Sequence, residues 1–226
     1  MVKIDLVTGF LGSGKTTFLK KYAKRLMEQG QNIGILENDF GAVNVDMMLL
    51  QELEGEQCEL EMISGGCDPE THRRRFRTKL IAMGMCGYDR VLVEPSGIYD
   101  MDEFFDVLHE EPLDQWYEIG NVIAVVDARL EDTLSPEAEY LLASQAANAG
   151  CMILSKCDTA TEEQRQNTIA HLKRSLAALG CKQRADQKIL CEGAEPLPDQ
   201  EFAAILSCGY HIASYEKPDF AKGQAF

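Results

Sequence analysis

Residues 3–30 read KIDLVTGFLGSGKTTFLKKYAKRLMEQG. The first part, 3–10, is an apolar run of the kind that forms a buried strand. The last part, 14–30, places its apolar side chains at helical spacing and ends on a glycine, which favours a helix that stops there. Between them, Gly9 to Thr16 fits the pattern GxxxxGK followed by Ser or Thr, a glycine-rich turn between a strand and a helix. This succession of elements predicts an α/β fold.

The glycine-rich turn has the chemistry of a phosphate-binding loop. Glycines let successive backbone N–H groups point inward around phosphate oxygens, and the following helix N-terminus adds a favourable dipole. We expect Lys15 to reach the β- and γ-phosphates and the Thr16 hydroxyl to coordinate magnesium. The predicted nucleotide-binding residues of the loop are Gly9, Gly12, Ser13, Gly14, Lys15, Thr16 and Thr17. The alternative, a glycine turn without a ligand, is disfavoured because the flanking strand and helix are those that the motif requires.

The rest of the chain alternates apolar runs with amphipathic stretches. Further predicted strands are 32–38, 58–63, 90–97, 121–128, 151–158 and 188–193, and further predicted helices are 69–85, 101–109, 136–148, 161–179 and 198–206. Apolar strands separated by helices indicate a parallel sheet covered on both faces. The sequence therefore predicts a three-layer α/β P-loop domain with a mostly parallel sheet of about seven strands. We place this domain at 1–210 and a polar tail, either loose or in contact with a partner, at 211–226.

Composition and charge exclude several classes of protein. The 226 residues are 45% hydrophobic and 26% charged, which is typical of a folded globular chain. The net charge of -15 disfavours nucleic-acid binding, because the chain repels a phosphate backbone. No apolar run approaches the roughly 20 residues of a membrane span, and the first residues lack the pattern of a signal peptide. We therefore expect a cytoplasmic protein that binds neither nucleic acid nor a membrane.

Carboxylates follow the second and fourth predicted strands. Glu37 and Asp39 come at the end of the second strand, and Glu94 comes at the end of the fourth. A carboxylate at the tip of a buried strand is costly unless it serves a cation or accepts hydrogen bonds. We therefore expect these three side chains to hold magnesium, directly or through water, with Glu94 alternatively orienting the attacking water. Turn formation by Asn, Asp and Gly is the structural alternative for the Asp39 segment.

Site roles follow from these positions. The Gly97 N–H group is predicted to contact the γ-phosphate and to couple hydrolysis to movement. We assign catalysis to Lys15, Glu94 and Asp39, and magnesium binding to Thr16, Glu37, Asp39 and Glu94. The predicted reaction is in-line attack of water on the γ-phosphate.

A candidate base-recognition segment, Ser155-Lys156-Cys157-Asp158, follows the sixth predicted strand, where many GTPases carry Asn-Lys-x-Asp. The Asp158 carboxylate can accept from guanine N1–H and the exocyclic amine, a pair of donors that adenine does not offer. The Lys156 stem is expected to pack over the base. Ser155 replaces an amide that usually connects this segment to the phosphate loop, so we expect that connection to be weakened. These residues favour GTP over ATP.

Six segments together resemble the CobW-like metallochaperone GTPases, relatives of the GTPases that help insert nickel into urease and hydrogenase. They are GFLGSGKTT (9–17), ENDFG (37–41), SGGC (64–67), EPSG (94–97), VVDA (125–128) and SKCD (155–158), in the order of the family. The resemblance covers residues 2–195. It implies a P-loop GTPase fold, slow hydrolysis, and nucleotide-dependent delivery of a metal or assembly of a cofactor protein.

Two departures from the family pattern concern the metal. The family motif is Cys-x-Cys-Cys after two glycines, whereas this chain reads GGCD at 65–68, so Cys67 alone matches. A single thiolate cannot form a tight tetrahedral site. Asp68, Glu70, His72 or a second Cys67 in a nucleotide-dependent homodimer could complete a site for Zn²⁺, Ni²⁺ or Co²⁺, and a free cysteine in a turn is the alternative. The second departure is the family's C-terminal domain, which we expect this chain to lack.

A basic cluster, HRRRFR at 72–77, stands out in this acidic chain. A solvated helix face is the simplest interpretation. A partner contact, or an arginine presented to a phosphate across a dimer, is the alternative.

Three functions remain open at this point. The leading hypothesis is GTP hydrolysis that drives a switch in metal delivery or metallocofactor-protein maturation, with a client metalloenzyme or cofactor protein as partner. The second is a GTP-dependent binding switch that docks on a client, such as a corrinoid protein, and carries no metal itself. The third is an ATP-dependent small-molecule kinase.

Overall fold

The strand, turn and helix of residues 3–30 form as predicted. The strand lies at the middle of a seven-stranded sheet. The computed structural model describes residues 1–39, 45–64, 68–97, 101–181, 189–191 and 197–216, without the side chains at positions 38, 39, 45, 46, 64 and 69.

Strands and helices alternate along most of the described chain. The strands are β1 Val2–Thr8, β2 Ile33–Asp39, β3 Cys58–Ser64, β4 Arg90–Pro95, β5 Tyr117–Asp127, β6 Cys151–Ser155 and β7 Ile189–Cys191. The α-helices are α1 Lys15–Glu28, α2 Val45–Leu50, α3 Pro69–Gly84, α4 Met101–Leu108, α5 Leu113–Trp116, α6 Pro136–Asn148, α7 Glu162–Ala178 and α8 Asp199–Leu206, and a 3-10 turn covers Gln51–Leu53.

The sheet has the order β3-β2-β4-β1-β5-β6-β7, and each described pair of neighbouring strands is parallel. One face is covered by α3 to α7 and the other by α1, α2 and α8, with a separate apolar cluster on each side. The predicted three-layer α/β class and the roughly seven-stranded parallel sheet are therefore confirmed. In such a sheet ligands bind outside the carboxyl ends of the strands, which is where the sequence motifs lie.

Three short elements and the start of one strand were not predicted from the sequence. The missed elements are α2, the 3-10 turn and α5, which are too short to show a helical period. Strand β5 begins at Tyr117, four residues before the predicted start at 121, and its pairing with β1 shifts register between Ile4 and Leu6. Such an irregularity inserts an extra residue and interrupts the apolar pattern, so the first part of β5 was not recognised.

A buried polar network connects the strands near the amino end of the sheet. Asp5 of β1 is fully buried and accepts hydrogen bonds from Arg90 Nη1 at 2.5 Å and from the Tyr22 hydroxyl at 2.7 Å. It also accepts from the Asn121 N–H group at 2.8 Å, beside the register shift in β5. The side-chain amide of Asn121 donates to the Leu206 carbonyl at 3.3 Å, at the end of α8. Burial and the Asp5 carboxylate raise the pKa of Tyr22 well above its usual value.

The described part of the predicted tail lies against α6. The His211 and Ala213 N–H groups donate to the Asn148 backbone carbonyl at 2.9 Å and side-chain oxygen at 3.0 Å. The Tyr215 ring packs edge-on against Tyr140. Among the helices that the structure describes, none is both long enough and apolar enough to cross a membrane.

Candidate nucleotide site

The phosphate loop connects β1 to α1 at the middle of the sheet, between β4 and β5. Gly9 adopts φ 152°, and a Cβ there would lie 2.2 Å from the Val125 carbonyl oxygen, so no side chain fits. Gly14 occupies the N-cap of α1 and, having no side chain, leaves the first N–H groups of the helix uncapped. Lys15 and Thr16, in the first turn, are only 8% and 7% exposed. The loop therefore offers the uncapped N–H groups of an anion site, with Lys15 buried in the first turn of the helix.

Thr16 connects this loop to strand β4. Its hydroxyl donates to Glu94 Oε1 at 2.8 Å. Glu94 is 3% exposed and is the register partner of Glu37 on β2, which is 2% exposed. Register partners in parallel strands direct their side chains to the same face, here the face that α1 covers. The structure therefore brings three predicted residues, Thr16, Glu37 and Glu94, to one place.

This arrangement fits Mg²⁺ by the chemistry of its donors. Two buried carboxylates side by side repel each other, and a divalent cation removes that cost. A hydroxyl and two carboxylates are the hard oxygen ligands that Mg²⁺ prefers. Asp39 lies two residues further along β2, paired with Ser64 of β3, and its side chain is outside the described residues. Its predicted magnesium and catalytic roles stay predictions.

Gly97 approaches the phosphate loop closely. A Cβ at Gly97 would lie 2.6 Å from the Leu11 nitrogen and 3.0 Å from Leu11 Cα, so any side chain would displace the loop backbone. The Gly97 carbonyl accepts from Gln145 Nε2 at 3.3 Å, which connects this turn to α6. The glycine therefore allows the end of β4 to touch the loop that we expect to hold the phosphates.

The base-recognition segment forms a turn at the end of β6. Lys156 has a left-handed backbone, φ 56°, which is uncommon for a residue with a side chain. Its carbonyl accepts from the N–H groups of Thr159 and Ala160, both at 3.1 Å. Asp158 is exposed, so its carboxylate is accessible to a base from solvent.

Ser155 contacts the phosphate loop, and its connection being weaker than that of an amide stays a prediction. The Ser155 hydroxyl donates to the Ser13 carbonyl of that loop and lies 3.3 Å from the Val126 carbonyl of β5. Gly14 lies beside this contact: a Cβ there would be 3.4 Å from Ser155 Oγ, an ordinary van der Waals distance. The Ser155 hydroxyl thus contacts the loop to which an amide usually connects this segment.

Asp127 was missed as a candidate functional residue. It ends β5 within the segment VVDA, to which sequence analysis gave no role. Its carboxylate accepts from Lys156 Nζ at 2.6 Å and from the Arg129 N–H group at 2.8 Å. Although partial burial opposes it, hydrogen bonds from Arg129 and Lys156 hold the pKa of Asp127 below its usual value. Its place at the carboxyl end of a central strand was the signal that could have found it.

The predicted transition-metal position, Cys67, lies outside the described residues. Of its suggested companions, Asp68 caps α3 and accepts from the Thr71 N–H group and hydroxyl, both at 2.8 Å. His72 is 1% exposed, with Nδ1 3.3 Å from Glu103 Oε1. Within the part of the chain that the structure describes, no three His, Cys, Asp or Glu residues come together to hold a metal ion.

The basic cluster at 72–77 divides into two parts. Arg73 and Arg77 form ion pairs with Glu110 at 2.7 and 2.9 Å, beyond the end of α4. Arg74 and Arg75 are exposed and line a groove of about 470 Å³ beside α3, which is separate from the nucleotide site. Arg73 and Arg77 therefore hold α3 to the segment after α4, whereas Arg74 and Arg75 face solvent.

Comparison with known proteins agrees with this geometry. Residues 3–182 match the family described as CobW/HypB/UreG, nucleotide-binding domain. The chain belongs to this family. The resemblance of its six segments to CobW-like GTPases is thereby confirmed.

Two curated members of the CobW/HypB/UreG family show how far the similarity extends. The chain is 29% identical over 172 residues to the zinc chaperone YjiA of Escherichia coli (strain K12), a match covering 73% of this chain and 52% of YjiA. It is 28% identical over 167 residues to the zinc chaperone YeiR of the same organism, covering 74% and 50%. The chain thus spans about half the length of these relatives. A Zn(II)-bound triple mutant of the YjiA GTPase has a similar fold, with TM-score 0.53 at 20% identity over 91% of this chain and 60% of that chain.

Proposed function

We propose that this protein binds and hydrolyses GTP and acts as a switch in metal delivery or metallocofactor-protein maturation. The observation that carries the proposal is the hydrogen bond from Thr16 of the phosphate loop to Glu94, beside Glu37. It joins the element that binds phosphates to the carboxylates that would sense them. Family membership and the named zinc chaperones support the metal-delivery part.

Each residue has a defined task in the proposed reaction. Lys15 and the backbone N–H groups of the loop bind the phosphates and stabilise negative charge. Ser13 Oγ is buried without a hydrogen-bond partner among the described residues, and a phosphate oxygen would supply one. Thr16, with Glu94 or Glu37, would hold Mg²⁺, which when bound supplies positive charge to the phosphate oxygens. Glu94 alternatively orients the water that attacks the γ-phosphate.

Guanine selection rests on the turn after β6. Asp158 is exposed and available to the donors of guanine, and Lys156 and Ser155 hold the turn against the phosphate loop. This placement favours GTP over ATP and disfavours the small-molecule kinase.

The second candidate is a GTP-dependent binding switch that carries no metal. The capping role of Asp68 favours it, because that carboxylate already accepts two hydrogen bonds in its own helix. Under this hypothesis, a client metalloenzyme or cofactor protein recognises the GTP-bound form. A nucleotide-dependent homodimer, in which two copies share Cys67, would instead favour metal delivery.

Metal stoichiometry with and without Cys67 decides between the two candidates. We expect the GTP-loaded protein to bind Zn²⁺ at a defined stoichiometry in equilibrium dialysis and Cys67→Ala to abolish this binding. Cys86→Ala is the matched control, since Cys86 is exposed on the surface and should leave binding unchanged. Unchanged binding in Cys67→Ala, or no binding of Zn²⁺, Ni²⁺ or Co²⁺ by the parent protein, would contradict metal delivery and leave the binding switch.

A further inference from the structure

A short polar cluster connects three separate segments beside the nucleotide site. Lys156 Nζ lies 2.7 Å from the Gly12 carbonyl of the phosphate loop and 2.6 Å from Asp127 Oδ2 at the end of β5. The Ser155 hydroxyl donates to the Ser13 carbonyl of the same loop. We call Asp127, Ser155 and Lys156 the clasp, because they join the phosphate loop, the end of β5 and the base-recognition turn.

Asp127 is the anionic member of the clasp. Its side chain is 22% exposed and that of Lys156 is 35% exposed, so the pair is partly screened from water. Hydrogen bonds between ionised groups are shorter and stronger than neutral ones. Arg129 contacts the same carboxylate, with its guanidinium nitrogens 3.3 Å from the two oxygens. Lys156 makes the shorter contact, at 2.6 Å, and is therefore the principal partner of Asp127.

The backbone conformation of Lys156 indicates what the clasp restrains. A left-handed conformation at a residue with a Cβ carries strain and persists only where the surroundings hold it. Two contacts of the Lys156 ammonium, with Gly12 and Asp127, restrain this conformation. Asp158 lies two residues later in the turn that the Lys156 carbonyl closes, so restraining Lys156 also restrains the backbone that carries Asp158.

We propose that Asp127 is a positioning residue for the nucleotide: it fixes Lys156 across the phosphate loop and thereby sets the distance between the phosphate site and the base-recognition turn. This inference rests on the proposed function, because it assumes that both sites hold parts of one GTP molecule. Asp127 touches no part of the nucleotide in this scheme and acts through Lys156.

A double-mutant cycle tests whether Asp127 acts through Lys156. We expect Asp127→Ala and Lys156→Met each to weaken the binding of a fluorescent GTP analogue by about 10- to 100-fold. The double variant should bind about as weakly as Lys156→Met alone, since the second change removes a contact that has already been lost. Asp127→Asn, which keeps a neutral acceptor, should fall between Asp127→Ala and the parent protein. Arg129→Ala is the matched control, with an expected change of less than about twofold because Lys156 keeps its partner.

Urea unfolding of the same variants separates positioning from mere stabilisation. Additive losses of affinity in the double variant would overturn the inference, and so would unchanged affinity in a folded but less stable Asp127→Ala. The cycle also distinguishes this inference from the proposed function. If the parent protein prefers ATP, the proposed function fails, and the same cycle run with ATP still decides the role of Asp127. If it binds neither nucleotide, both fail.

Discussion

Glu94→Gln is expected to lower kcat for GTP hydrolysis by about 100-fold or more, with little effect on GTP affinity. Glutamine keeps the size of the side chain and can still accept the Thr16 hydrogen bond of 2.8 Å. It removes the negative charge at the tip of β4, beside Glu37. Phosphate release at saturating GTP, measured over a magnesium titration, reads out both proposed roles.

The magnesium titration separates metal binding from water orientation. A raised magnesium requirement would assign Glu94 to the metal, whereas a lowered kcat at an unchanged requirement would assign it to the attacking water. Glu118→Gln is the matched control, because Glu118 is an exposed carboxylate near the amino end of β5. If Glu94→Gln hydrolyses GTP as fast as the parent protein at every magnesium concentration, Glu94 has neither role.

Asp5→Ala is expected to reduce the free energy of unfolding by about 3–5 kcal/mol, because it leaves the buried charge of Arg90 uncompensated. Arg90 is 5% exposed and donates to Asp5 at 2.5 Å. The same substitution removes the acceptor of the Tyr22 hydroxyl and of the Asn121 N–H group. Equilibrium urea unfolding followed by circular dichroism measures the loss.

An exposed ion pair provides the control for this prediction. Glu52 pairs with Lys20 and Lys24 at 3.0 and 2.7 Å and is half exposed, so Glu52→Ala should lower the free energy of unfolding far less than Asp5→Ala does. Removing both charges, as Asp5→Asn with Arg90→Met, should recover part of the loss. A loss for Asp5→Ala no larger than that for Glu52→Ala would show that the buried pair does not stabilise the sheet.

The sequence predicted the fold well wherever a pattern is repeated over many residues. The helices α1, α3, α6 and α7 are each thirteen or more residues long, and each lies within two residues of its predicted bounds. The apolar strands were recognised because a sheet covered on both faces favours apolar residues at most positions. The short α2 and α5 helices were not recognised, since they depend on packing and not on periodicity.

The candidate site was predictable in part. The motif predicted the anion-binding loop, and the parallel sheet explained why Glu37 and Glu94, 57 positions apart in sequence, become neighbours. The connections between segments were not predictable. The Ser155 hydroxyl contacts the Ser13 carbonyl, and Lys156 contacts Asp127, because these side chains extend across loops. The spacing of residues along the chain does not predict such contacts.

Nucleotide competition tests the proposed function most directly. The fluorescent GTP analogue is bound in the presence of magnesium and then displaced with unlabelled GTP or ATP, using Lys15→Ala as a control that should not bind. We expect GTP to displace the analogue at a concentration at least about tenfold lower than ATP, because Asp158 offers a paired acceptor that adenine leaves unused. Displacement by ATP as efficient as displacement by GTP would contradict the proposed GTPase switch.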